Sequence, residues 1–277
     1  MNQRKERDVR PGRGIDAGAL TDCLIFDVDG VLVDTSESFP SAIRATVERE
    51  WSEAGFERDA AGYSPEYNAV LKRHGAFNDD YDIAWTLLNI SAARTDTGGA
   101  SRLSEALPSP GGLERLIDGC RGDCVEWLRG AFAEKYRRDH IREVCARDYF
   151  GWAYKLETPA LLAGWRSLPL PAYIYTGRDL KEWELAKRTL SWNDFPAERV
   201  VHADTGIRKP SPEGLSYICD KFGHKNPLYF GDTASDRRAH SAFGMGRFAA
   251  IGGILPDEGM SFENIGEALL NLTGWSG

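Results

Sequence analysis

Hydrophobic positions along the chain follow two patterns. Five short apolar runs stand out: Cys23-Leu24-Ile25-Phe26, Pro171-Ala172-Tyr173-Ile174-Tyr175, Arg199-Val200-Val201-His202, Leu228-Tyr229-Phe230 and Arg247-Phe248-Ala249-Ala250-Ile251. A strand with one face in water would alternate polar and apolar side chains. Continuous runs instead predict strands buried on both faces of a parallel sheet. Between the last four runs lie segments of helical periodicity at 179–192, 212–223 and 235–243. This alternation predicts βαβ units, hence an α/β fold with an open, helix-flanked, parallel sheet.

The second pattern occupies residues 36–155, where apolar residues recur at helical spacing with little strand character. Helices are expected at 37–53, 65–74, 79–94, 112–119 and 123–147, with breaks at Gly62, Gly75, Gly98-Gly99 and Pro108-Ser109-Pro110. A connection of roughly 120 residues is far longer than a crossover. It predicts an all-helical cap, residues 36–155, inserted into an α/β core of residues 20–35 and 156–277. Residues 95–112 read as an exposed loop by composition. Residues 1–19 have almost no large apolar side chains, so burial cannot offset their ordering entropy and a disordered tail is expected.

Composition narrows the class. Of 277 residues, 42% are hydrophobic and 27% charged, the balance of a globular chain with a sizeable core. The net charge of −8 argues against a nucleic-acid surface. No apolar run approaches the length of a membrane span, so no membrane partner is expected. Cys23, Cys120, Cys124, Cys145 and Cys219 are odd in number and scattered, and no signal peptide is evident. They read as reduced thiols of a cytoplasmic protein. Cys120 and Cys124, four apart, lack a further Cys/His pair at zinc spacing. Trp85, Trp127 and Trp152 are expected in the core of the helical insertion.

Ligands of open α/β sheets bind beyond the carboxyl ends of the strands, which directs attention to the residues that follow each apolar run. These are Asp27, Asp29 and Gly30 after the first, Thr176, Gly177 and Arg178 after the second, Lys209 beyond the third, and Asp232, Thr233 and Asp236 after the fourth. Four carboxylates, a hydroxyl and a lysine thus converge. Carboxylates so gathered repel one another unless a cation joins them, and hard oxygen ligands suit Mg²⁺. A phosphate would sit beside that cation, Lys209 and the Thr176 hydroxyl.

The segment Asp27-Val28-Asp29-Gly30-Val31-Leu32-Val33-Asp34-Thr35 resembles the first motif of the haloacid dehalogenase superfamily. Tyr175-Thr176-Gly177-Arg178 resembles its second, Lys209-Pro210-Ser211-Pro212 its third, and Gly231-Asp232-Thr233-Ala234-Ser235-Asp236 its fourth. The insertion after the first motif resembles the phosphoglycolate-phosphatase-like subfamily with a helical C1 cap on a Rossmann-like core. The resemblance implies a Mg²⁺-dependent phosphatase of a small phosphorylated metabolite. Asp27 would attack phosphorus to form an aspartyl-phosphate. Asp29 would protonate the leaving alcohol and then activate water. Thr176, Gly177, Arg178 and Lys209 would surround the substrate, with Thr176 and Lys209 on the phosphoryl oxygens. Asp27, the Asp29 main-chain carbonyl and Asp232 would hold Mg²⁺, with Asp236 adding to its surroundings directly or through water. Gly30 and Gly177 would permit tight turns beside the phosphate.

Several alternatives stay open at this stage. Asp236 also fits a helix N-cap. Arg178 fits a leaving-group contact or an ion pair, and Asp34 a substrate contact or a solvated loop. The segment from Lys72 to Asp80 fits a pocket lining or a solvated helix–helix connection. A sugar-phosphate mutase would use the same two aspartates, whereas a dehalogenase would not need Asp29. A phosphonatase would need an amine from the cap, for which Lys72, Lys135 and Lys155 are placed. A catalytically idle binding module would keep the fold without depending on metal.

Overall fold

The computed structural model describes residues 20–56, 62–74, 76–77, 79–120, 122–255 and 259–277. The expected tail, residues 1–19, and the expected break at Gly75 lie outside them. The five apolar runs form strands: β1 (Cys23–Phe26), β4 (Ala172–Tyr175), β5 (Val200–Val201), β6 (Pro227–Gly231) and β7 (Arg247–Ile251). A short sixth, β8 (Ser261–Phe262), pairs with β7. The sheet order is β5-β4-β1-β6-β7-β8, and every pairing is parallel. Leu24 of β1 lies opposite Ala172 on one side and Leu228 on the other. After β5 the chain crosses to the far side of β1, so the sheet changes winding direction at the carboxyl end of that central strand. That is where a crevice opens in such sheets.

Strand residues alternate between two buried layers, as a period of two requires. Leu24, Phe26, Ile174, Leu228 and Phe230 join one cluster, with α11 (Ile265–Thr273) and Trp183 of α8 (Leu180–Thr189). Cys23, Ile25, Tyr173, Tyr175 and Tyr229 join the other, against α9 (Glu213–Phe222) and α10 (Ala234–Phe243). Burial on both faces explains why these strands read as unbroken apolar runs.

Between β1 and β4 lies the helical insertion: α1 (Ser38–Glu53), α2 (Glu66–Arg73), α3 (Asp80–Gly98), α4 (Leu103–Ala106), α5 (Pro110–Ile117), α6 (Cys124–Ala131) and α7 (Arg138–Gly151). Helices α1, α3 and α7 pack together around a separate core containing Val47, Trp51, Trp85, Leu88, Ile141 and Tyr149. The chain enters and leaves this insertion through β2 (Val33–Asp34) and β3 (Thr158–Pro159), paired antiparallel.

Three expectations need correction. The helix expected over 123–147 is two, α6 and α7. Buried Asn89 accepts the N–H groups of Lys135 and Tyr136 at 2.8 and 3.0 Å, and Trp85 Nε1 donates to the Tyr136 carbonyl at 3.0 Å. Partners from α3 thereby satisfy backbone groups that a continuous helix would have used itself. The loop expected at 95–112 is largely structured. Helix α3 continues to Gly98 and ends at left-handed Gly99, and α4 follows with Leu103, Ala106 and Leu107 buried. Trp85 is buried and Trp127 packs against the cap core, but Trp152 is 40% exposed. All five cysteines are free and buried. Among the described residues, no helix is long and apolar enough to cross a membrane.

Candidate active site

Asp27 follows the last residue of β1, and Asp232 follows the last residue of β6, so sheet pairing alone brings them together. Asp236 lies in the first turn of α10. It is held there by a capping box in which Thr233, not Asp236, is the N-cap. Its Oδ2 accepts the Thr233 N–H at 3.1 Å and the Thr233 hydroxyl at 2.6 Å, and its Oδ1 accepts the Tyr229 hydroxyl at 2.5 Å. Lys209 lies on the loop before α9. Its Nζ stands 2.6 Å from Asp27 Oδ1 and 2.5 Å from Asp236 Oδ1. Gly30 takes φ +70°, and a Cβ there would fall 2.3 Å from Asp232 Oδ2. Only glycine lets the turn after β1 approach Asp232 so closely. Gly177 takes no positive φ.

Asp27, Asp232 and Asp236 bring carboxylate oxygens within 4.8 Å of one another. Burial pushes the Asp27 carboxyl up to about 7 even though Lys209 pulls it down. Burial, with Asp236 and Asp27 adding to it, raises the Asp232 carboxyl well above the carboxylate range. Burial acts the same way on Asp236, but Lys209, Thr233 and Tyr229 outweigh it and hold that carboxyl below its usual value. Burial works against the Lys209 ammonium, yet Asp236 and Asp27 keep it charged. Three buried carboxylates thus stand near two ammonium groups, Lys209 between Asp27 and Asp236, and Lys72 towards Asp232. Asp232 Oδ1 is buried with no hydrogen-bond partner among the described residues. A cation fits both the excess negative charge and that orphaned oxygen, so the trio can hold a metal ion.

Asp29 lies beside this trio and is held from behind. Arg178 Nε donates to Asp29 Oδ1 at 2.8 Å, and Nη2 approaches the same oxygen at 2.6 Å. The guanidinium is 1% exposed and also bonds Glu157 Oε1 at 2.8 Å, the Tyr149 hydroxyl at 3.2 Å and the Glu182 carbonyl at 3.0 Å. Of the two readings open for Arg178, the ion pair is what forms. Thr176, at the end of β4, is buried and accepts the Arg178 N–H at 3.2 Å.

These groups open into a cavity of about 170 Å³. Asp27, Asp29, Gly177, Arg178, Lys209 and Asp232 line it; Thr176 and Asp236 sit outside the lining. The cap closes it with Phe39, Lys72, Asp79, Asp80, Tyr81 and Arg142. Of the Lys72–Asp80 segment, Lys72, Asp79 and Asp80 line the cavity, while Phe77 is buried in the cap core; Gly75 and Asn78 fall outside the described residues. Tyr81 of α3 donates to Glu182 of α8 at 2.5 Å, joining cap to core across the cavity. Lys135 and Lys155 do not line this cavity.

A family model for haloacid dehalogenase-like hydrolases matches residues 21–244, a stretch containing every one of these groups. The chain belongs to that family. Among solved structures, this hydrolase is similar to phosphatase Tt82 from Thermococcus thioreducens, with 25% identity, a TM-score of 0.63, and coverage of 91% of this chain and 100% of that one. A protein from Lactobacillus delbrueckii subsp. bulgaricus, assigned as a phosphoglycolate phosphatase, shares the fold at 16% identity and TM-score 0.59, covering 92% and 99% of the two chains. So does one from Thermotoga maritima, assigned as a β-phosphoglucomutase, at 18% identity and TM-score 0.51, covering 92% and 100%. A search of curated protein sequences finds no significant match.

The hydrolase site also uses residues that sequence reasoning missed. Glu157, Tyr149, Glu182 and Tyr81 carry no motif. A glutamate in a helix-rich stretch reads as a surface residue until its partner is known. The one available signal for Glu157 was position: it immediately precedes the chain's return to the core at β3.

Proposed function

We propose that this hydrolase is a Mg²⁺-dependent phosphatase acting on the phosphomonoester of a small metabolite through an aspartyl-phosphate. The observation that carries the reading is the gathering of Asp27, Asp232 and Asp236 around Lys209, with Asp232 Oδ1 unpartnered and Asp29 alongside in a capped cavity. An Asp27 oxygen attacks phosphorus as the ester P–O bond breaks, and Asp29 gives its proton to the departing alkoxide. Asp29 then takes a proton from water. The water oxygen attacks phosphorus, the bond to Asp27 breaks, and inorganic phosphate leaves. Lys209 holds the phosphoryl oxygens together with Thr176, whose hydroxyl hydrogen has no acceptor among the described residues. Arg178 keeps Asp29 in place without itself reacting. When bound, Mg²⁺ on Asp27, Asp232 and the Asp29 carbonyl, with Asp236 behind, supplies the positive charge that both carboxylate and phosphate need.

A phosphonatase reading would require Lys72 as a neutral amine. Burial favours that form, but Asp80, Asp29 and Asp232 outweigh it and hold the ammonium charged. Five free cysteines fit a cytoplasmic site of action.

The test is phosphate release from p-nitrophenyl phosphate and a panel of phosphomonoesters, with Mg²⁺ or a chelator, for wild type and Asp27→Asn. Release should need the metal and fall at least about a thousandfold in the variant. Metal-independent release, or a fully active variant, overturns the reading. Isomerisation of a sugar phosphate without net phosphate release would replace it with the mutase alternative.

A further inference from the structure

The catalytic groups account for the transferred phosphate but leave a buried pair on the cap unused. Lys72 of α2 and Asp80 of α3 are joined at 2.8 Å through Asp80 Oδ2. Both line the catalytic cavity, and both also line an adjoining cleft of about 310 Å³ between cap and core. Asp80 is 8% exposed, and its Oδ1 is buried with no hydrogen-bond partner among the described residues. An ammonium has three N–H donors, and Asp80 Oδ2 engages one of them. A donor and an acceptor therefore stand side by side on the cap, opposite the carboxylates that handle the phosphate.

Such a pair discriminates between neighbouring groups on the leaving alcohol. A hydroxyl satisfies both members: it donates to Asp80 Oδ1 and accepts from Lys72 Nζ. A carboxylate or second phosphate has no proton for Oδ1 and meets it as a like charge. An ammonium meets Lys72 in the same way. A bare methylene leaves Asp80 Oδ1 without a partner and Lys72 with Asp80 Oδ2 alone, which is the costly case. The remaining wall reinforces the bias against a second anion. Asp79, Asp179, Glu182 and Asp204 line it, and Arg142 is already paired with Asp79 and Asp82 at 2.8 and 2.9 Å. Arg208, also in the lining, is exposed.

We infer that Lys72 and Asp80 form a hydroxyl-reading subsite, and that the substrate is the phosphate ester of a polyhydroxylated alcohol with no second anionic group. The inference rests on the phosphatase reading above and goes further by naming the substrate class. Its test compares three esters in Mg²⁺: glycerol 3-phosphate, n-propyl phosphate and 3-phosphoglycerate, with p-nitrophenyl phosphate as control. In wild type, kcat/KM for glycerol 3-phosphate should exceed both others by about tenfold or more. Asp80→Asn replaces the anionic acceptor with an amide, so the preference over 3-phosphoglycerate should fall about tenfold. Lys72→Met removes the donor, so the preference over n-propyl phosphate should fall similarly. Damage to the fold would lower all rates together and leave these ratios where they were. Equal or better turnover of 3-phosphoglycerate or n-propyl phosphate by wild type overturns the inference, as do ratios unmoved in both variants. If p-nitrophenyl phosphate is hydrolysed without any hydroxyl preference, the inference fails alone. If no ester is hydrolysed, the phosphatase reading fails and takes the inference with it.

Discussion

Asp232 is buried, has one oxygen without a partner among the described residues, and lies within reach of two other carboxylates. Burial holds the Asp232 carboxyl well above the carboxylate range, so the metal-free folded protein must either keep a proton on it or bury its charge, and Asp232→Asn removes that cost while keeping the shape. In a chelator the variant should therefore unfold a few degrees higher than wild type, since about 1 kcal/mol corresponds to roughly 2–4 °C in a chain of this size. In Mg²⁺ the order should reverse, because binding to the folded state stabilises only the protein that can bind. Thermal unfolding of both proteins in both conditions is the measurement. An equal gain from Mg²⁺ in both would place the metal elsewhere. Asp27, Asp29, Lys209, Asp232 and Asp236 were all legible in the sequence, because each follows a strand whose apolar run marks its end. Arg178 was legible as a site residue, with the ion pair one of two roles left open. Its partners, Glu157 and Tyr149, come from the far end of the insertion, and no local pattern links them to it.

The sheet strands and most helices of the insertion follow from periodicity, since burial on a sheet or along a helix face leaves a repeat in the sequence. The exceptions are segments whose structure is imposed by distant partners. The break between α6 and α7 is set by Asn89 and Trp85, over 40 residues earlier in the chain. Helix α4 has only four residues, too few to show a period, yet Leu103 is fully buried and a Cβ at Gly62 would meet it at 2.7 Å. If α4 is part of the cap core, Leu103→Ala should cost about 2–5 kcal/mol, the range for emptying a buried leucine site. Denaturant unfolding would measure it. A loss under about 0.5 kcal/mol, typical of a surface position, would return this stretch to the exposed loop that its composition suggests.

Cap and core meet over a cavity walled by titratable groups, and this shapes the pH response of the whole molecule. Burial raises the carboxyls of Asp27 to about 7, Asp80 to about 6 and Glu182 to about 7. The unfolded chain gives up these protons near the ordinary values of 3.8 for Asp and 4.5 for Glu, while the folded protein retains them. The folded state therefore binds more protons through this window, and stability falls as pH rises. Asp236, held low, contributes a stabilisation already complete above its unfolded value of 3.8. His224, lowered by burial, opposes the trend as a single group, while Asp232, raised like the other three carboxyls, reinforces it. The unfolding midpoint of the chelated protein should accordingly decline from about pH 4.5 to 7.5; a rising midpoint would contradict this account. Sequence alone determined the parallel core, the helical insertion and the acidic motifs at the strand ends, because each leaves a local signature of burial or spacing. Tertiary structure alone decided how Asp29 is held, which cap residues wall the cavity, and that Lys72 and Asp80 stand together facing it. Those features depend on contacts between cap and core, and a contact between distant residues has no period to read.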